Sequence, residues 1–214
     1  GFVSMAKDTI PLKEIIVEAP HGVKLVPGAS GIQNLAALNK SQTAAIISAF
    51  SEIESEIDFL IVDMAAGLSD SVMTFLCACQ KRYIVVKNEP SSIADAYATI
   101  KVMLQDFNLN NISLIPNGVI SQKDGVRLSK NINTVIKNFL GGNVDYLHSI
   151  TFDEMILRAT KASKCLLDYA PSSNAPRDFK ELAKIITSQD SASALSGGLQ
   201  FFVERMTMNQ ARVG

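Results

Sequence analysis

The run Asp58-Phe59-Leu60-Ile61-Val62-Asp63, followed by Met64-Ala65-Ala66-Gly67, constrains the fold more than any other stretch. Apolar residues in succession between carboxylates have the composition of a strand buried on both faces, as in a parallel sheet covered by helices. In open sheets of that kind ligands bind at the carboxyl ends of the strands. The pattern puts Asp63 at such an end. Gly67 then lets the backbone come close to whatever is bound. A carboxylate and a glycine so spaced suit a nucleoside triphosphate with Mg²⁺, but many strands end in Asp. The neighbouring segments must decide.

Strand-like runs recur at residues 23–27, 59–63, 83–87, 112–116 and 144–147, with helical patterns between most of them. Residues 43–57 place Ala44, Ile47, Phe50, Ile53 and Ile57 on one side of a helix. Residues 91–107 open on a serine pair suited to capping and continue through Ile93, Tyr97, Ile100 and Leu104. Residues 126–140 and 178–187 read as further helices. Strands alternating with helices of this length predict an α/β fold, a mostly parallel, doubly wound sheet with every strand's carboxyl end on one edge. Residues 1–187 form the expected domain, 188–198 a Ser-, Ala- and Gly-rich linker, and 199–214 a separate terminal segment.

Composition narrows the function classes. The 214 residues are 47% apolar and 19% charged, as in a globular chain with a sizeable core, and the formal net charge is −1. Nothing there draws the protein to nucleic acid, and no nucleic-acid partner is expected. Cys77, Cys79 and Cys165 lack metal-site or disulfide spacing and read as small buried residues. His21 and His148 stand alone. There is no signal peptide and no apolar run long enough to span a bilayer, so a cytoplasmic location is expected.

The sequence contains no Gly-rich phosphate loop, neither a Walker A pattern nor a dinucleotide fingerprint. What remains are three strand ends. The small-residue loop after Asp63 can offer N–H groups to a terminal phosphate while Asp63 holds Mg²⁺ through its water shell. Asn88-Glu89-Pro90 follows the third strand, and Asn117-Gly118 the fourth. The Asn117 amide, with a donor and an acceptor, suits the edge of a base. Turn formation at both asparagines and helix capping at Ser69 or Asp70 are the bland alternatives.

Taken together, four segments resemble the MinD/ParA class of P-loop ATPases with a deviant Walker A motif, and within it the flagellar-number branch, FlhG, FleN or YlxH. They are the run from Gly22 to Gly31, the run from Phe59 to Val72, Asn88-Glu-Pro-Ser-Ser-Ile-Ala-Asp-Ala-Tyr97, and Gly198-Leu-Gln-Phe-Phe-Val-Glu-Arg205. The resemblance implies that Asp63 is the Mg²⁺-associated Walker B carboxylate, that Gly67 lies near the γ-phosphate, and that Asn117 reads adenine. Asp153, in Thr151-Phe152-Asp153-Glu154, falls where relatives begin the next nucleotide-side loop, and a capping role suits it equally.

The same resemblance implies an ATPase using ATP and Mg²⁺ that dimerises on ATP and binds the inner face of the cytoplasmic membrane. Implied partners are a second copy, the flagellar assembly GTPase and basal-body or regulatory proteins. The family's phosphate loop would precede residue 1, so a polypeptide of these residues alone is expected neither to hydrolyse ATP nor to fold robustly. In the terminal segment Leu199, Phe202, Val203 and Met206 recur at i, i+3, i+4 and i+7 as one apolar stripe, the implied membrane helix. A septum-placing or DNA-partitioning relative, or a truncated non-enzymatic adaptor, are the other readings.

Overall fold

The computed structural model describes residues 16–26, 57–64, 67–68 and 70–190. They divide into two compact units between Gln80 and Lys81. In the first unit, β1 (Val17–Ala19) and β2 (Val23–Leu25) form an antiparallel hairpin around the turn Pro20–Gly22. The register pairs Val17 with Leu25 and Ala19 with Val23, and sets Glu18 opposite Lys24. That alternation puts apolar residues on one face and an opposite-charge pair on the other. The stretch expected as a parallel strand at 23–27 is therefore a hairpin arm. Helix α1 (Asp70–Ala78) follows, with Val72, Met73, Phe75, Cys77 and Ala78 buried.

The strand expected at 59–63 does not form among the described residues. Phe59, Leu60 and Ile61 are exposed, Ile61 at 88%. A run of this composition favours burial, but a strand also needs ladder partners, and none pairs with it among the described residues. The helix expected at 43–57 and the terminal segment 199–214 lie outside the described residues.

The second unit is the predicted alternation. Strand β3 (Arg82–Val86) leads to α2 (Pro90–Gln105), β4 (Ile112–Val119), α3 (Gln122–Leu140), β5 (Asp145–Tyr146), β6 (Ile150–Thr151), α4 (Glu154–Lys161), α5 (Leu166–Tyr169) and α6 (Asn174–Asp190). All pairings are parallel: β3 beside β4, with β5 and β6 pairing β4 at successive registers. The run expected as one strand at 144–147 is a short β5, and β6 resumes the pairing three residues beyond it. Backbone bonds from Leu147 N to Leu114 O (3.0 Å) and from Phe152 N to Val119 O (2.8 Å) carry the chain along β4.

Alternation along β4 explains why helices cover both faces. Ile115 packs in a cluster with Leu147, Ile150, Ala175 and Leu182, the last two from α6. Pro116, of opposite parity, faces α3: a Cβ placed on Gly125 would lie 3.3 Å from its Cβ. Ile100, Met103, Leu114 and Ile136 are essentially inaccessible, each worth roughly 1.5–3 kcal/mol of burial. This is the doubly wound sheet that the sequence predicts.

Local signals differ in detail. Helix α2 starts at Pro90, with Glu89 as a cap that makes no side-chain bond. The fixed φ of proline presets the first helical position. The expected capping serine, Ser92, instead accepts from the Lys87 N–H at 3.0 Å. Ser121 caps α3 by accepting from Asp124 N (3.3 Å) while its hydroxyl donates to the Asp124 carboxylate (2.7 Å). Helix α6 runs from Asn174 to Asp190, into the stretch expected as linker. Of the three cysteines Cys77 is buried, but Cys165 is exposed, contrary to the reading of all three as buried.

Candidate functional site

Parallel pairing puts the carboxyl ends of β3, β4 and β6 on one edge of the second unit, followed by the starts of α2, α3 and α4. At the end of β4, Asn117 pairs in register with Ile150, and Val119 with Thr151. Between them Gly118, at φ 69°, interrupts the ladder. A left-handed φ there costs any residue with a Cβ, so glycine is required. Asn117 was expected in a loop after Pro116. It lies within the strand instead, half-buried, because the ladder with β6 extends β4 to Val119. Its side-chain amide makes no hydrogen bond to the described residues, leaving a donor and an acceptor at the sheet edge.

Asp153 caps α4. Its Oδ1 accepts from Met155 N at 2.9 Å, and its Oδ2 accepts from Ala175 N, at the start of α6, at 3.0 Å. The Ala175 N–H foremost, then the adjacent Ser173 hydroxyl and the Met155 and Asn174 N–H groups, hold the carboxyl below its ordinary range, against the opposing effect of burial. Of the two roles open to Asp153 in the sequence, the described geometry is the cap.

Around this edge lies a polar network that sequence reasoning missed. Asp178, in the first turns of α6, accepts through Oδ2 from the Thr151 N–H (2.8 Å) and the Thr151 hydroxyl (2.5 Å). Its Oδ1 accepts from Gln122 Nε2 at 2.9 Å, and Gln122 Nε2 also donates to Ser149 O at 3.0 Å. The Tyr146 hydroxyl donates to Gln122 Oε1 (3.0 Å) and lies 3.1 Å from Ser149 Oγ. His148 Nε2 sits 3.8 Å from Asp178 Oδ1, inaccessible and without a hydrogen bond. Asp178 and Asp153 thus fasten the same two segments in opposite directions. The only signal available beforehand was the Ser121-x-x-Asp124 capping box, which puts Gln122 at the first helical position.

The first unit carries the other expected residues. Asp63 is exposed and belongs to no strand among the described residues. Gly67 is exposed at φ 119°, a backbone state that glycine tolerates. No group of three or more His, Cys, Asp or Glu residues able to hold a metal occurs among the described residues. Within the second unit the half-buried Asn117 amide offers the donor and acceptor that the edge of a base would need. Leu199, Phe202, Val203 and Met206 lie outside the described residues. No described helix is long and apolar enough to cross a membrane.

No protein-family model matches the chain. It is 36% identical to the antiactivator FleN of Pseudomonas aeruginosa over 200 residues, spanning 94% of this chain and 71% of FleN. It is 29% identical to the flagellum site-determining protein YlxH of Helicobacter pylori over 204 residues, 94% of this chain and 69% of YlxH. Among solved structures, the MinD cell division protein of Aquifex aeolicus matches with a TM-score of 0.64 at 17% identity, over 87% of this chain and 74% of that one. The septum site-determining protein MinD of Pyrococcus horikoshii, complexed with Mg-ADP, gives 0.61 at 20% identity, over 86% and 72%. At such identities the structural likeness shows the fold, a P-loop NTPase-like one.

Proposed function

Because the chain belongs to the FleN/YlxH family of flagellum site-determining proteins on a MinD-like fold, we propose that it serves an ATP-dependent switch setting flagellum number and placement. The observation that carries this reading is the 36% identity to FleN across 94% of the chain. Septum and partition proteins are similar at 12–20% identity, which supports the fold and nothing finer.

In this reading Asn117 reads the adenine edge with its free amide, and Asp63 faces Mg²⁺ through water. Gly67 presents backbone to the terminal phosphate. Bound Mg²⁺ supplies charge neutralisation at the phosphates, so these residues position rather than act as strong bases. Asp153 holds the start of α4 beside the base site. ATP joins two copies, and the stripe Leu199, Phe202, Val203 and Met206 brings the dimer to the inner face of the membrane. There it meets flagellar assembly proteins.

The test is phosphate release from ATP by the full natural protein and its Asp63→Ala variant. The variant is expected to lose about tenfold or more of the rate, the scale of a lost metal or charge contact. Turnover at the parent rate would remove Asp63 from the site and the switch with it.

A further inference from the structure

We propose that Phe152 is the aromatic platform on which the base stacks, a contact beside the edge that Asn117 reads. This rests on the base-site reading of Asn117. Phe152 directly follows β6, which pairs with β4 at Asn117 and Val119, and its own N–H donates to Val119 O at 2.8 Å. Its backbone therefore lies one strand spacing from β4, about 5 Å. Asn117 is two residues back along β4, roughly 7 Å. The two residues thus stand on neighbouring segments at one edge of the sheet.

Two backbone bonds and one side-chain bond hold this segment at consecutive residues: Thr151 N donates to Asp178, Phe152 N donates to Val119 O, and the Asp153 carboxylate accepts from Ala175 N. Yet the side chain on this fixed backbone is 66% exposed, while Ile150, two residues earlier in β6, is 2% exposed. An aromatic ring left in water costs the hydrophobic stabilisation that burial would bring. Rigid, preorganised backbone beneath an exposed ring is what a stacking contact requires. Stacking tolerates any base, because every base has a π-face, so Phe152 supplies affinity and Asn117 supplies choice. Asp178 is the positioning residue beneath them.

Equilibrium dialysis of Mg-ADP and Mg-GDP against the full natural protein separates these roles. Phe152→Ala is expected to raise both dissociation constants by roughly 5- to 100-fold, leaving their ratio unchanged, and Phe152→Tyr to restore both. Asn117→Ala is expected to shift the ratio. Thermal unfolding of Phe152→Ala should match the parent, since an exposed ring contributes little to the fold. If Asn117→Ala leaves the ratio unmoved, the base-site reading falls and this inference falls with it. If Asn117→Ala shifts the ratio but Phe152→Ala binds both nucleotides within twofold of the parent, this inference alone is overturned. Loss of self-association in Phe152→Ala with nucleotide affinity intact would make the ring a protein contact and overturn it likewise.

Discussion

Single atoms decide two positions where residue type alone misleads. Gly125 sits inside α3, where replacing glycine by alanine ordinarily stabilises a helix by about 1 kcal/mol. Here a Cβ would lie 1.9 Å from Ser149 Oγ and 2.8 Å from Ser149 Cβ, and Ser149 is fully buried. Overpacking costs roughly 1–3 kcal/mol, so the clash wins. Gly125→Ala is expected to destabilise by about 1–2 kcal/mol in urea unfolding, and adding Ser149→Gly should recover most of the loss. At Asp153 the sign follows from its lowered pKa. The carboxylate's extra stability is fully present above the ordinary carboxylate pKa, and it is lost as pH falls through the depressed folded-state value. The stability gap between the protein and Asp153→Asn should therefore stay constant from neutral pH to roughly pH 5 and close below about pH 4. A gap that instead widened on acidification would contradict the cap.

Helices and strands of the second unit were largely legible in the sequence because local pattern and burial agree there. The periodic residues Ile93, Ile100 and Leu104 of α2 belong to a helix that does form, and the run at 112–116 is the central strand β4. What was not legible is pairing. The apolar run at 59–63 looks more strand-like than β6 does, yet β6 pairs and the run does not among the described residues. Ladder partners are set by tertiary context, which periodicity does not contain. The same holds for Asp178. In sequence it is an ordinary carboxylate near the start of a helix, and only the fold brings it to Thr151, 27 positions away. Removing it leaves the Thr151 N–H, the Thr151 hydroxyl and one Gln122 donor without their acceptor, at roughly 1 kcal/mol or more each. Asp178→Ala should cost about 2–4 kcal/mol in urea, and Asp178→Asn less, because the amide oxygen can still accept from the Thr151 N–H. Equal losses for both variants would mean that packing, not hydrogen bonding, fastens α6 to β6.

At the scale of the whole molecule, the sequence offers an apolar pattern at its end but not how that terminal segment is used. In sequence Leu199, Phe202, Val203 and Met206 fall at the spacing of one helical face, with Phe201 beside them. Lasting attachment of an interfacial helix also draws on a basic polar face. Here Arg205 stands beside Glu204 and only Arg212 follows, so electrostatic help from anionic lipid is slight. In the proposed function this segment is an interfacial helix, and one copy of it would bind a membrane weakly and reversibly. Two copies joined by ATP, as proposed, would make the second insertion intramolecular and raise avidity by roughly 100-fold or more without any new contact. Membrane binding by the full natural protein should accordingly depend on nucleotide. Sedimentation with anionic liposomes is expected to pellet much more protein with ATP than with ADP, and little in either state once residues 197–214 are removed. Raising the salt concentration should change the ATP result only modestly, because apolar insertion rather than charge carries the affinity. Equal pelleting with and without residues 197–214 would assign the stripe to packing within the protein.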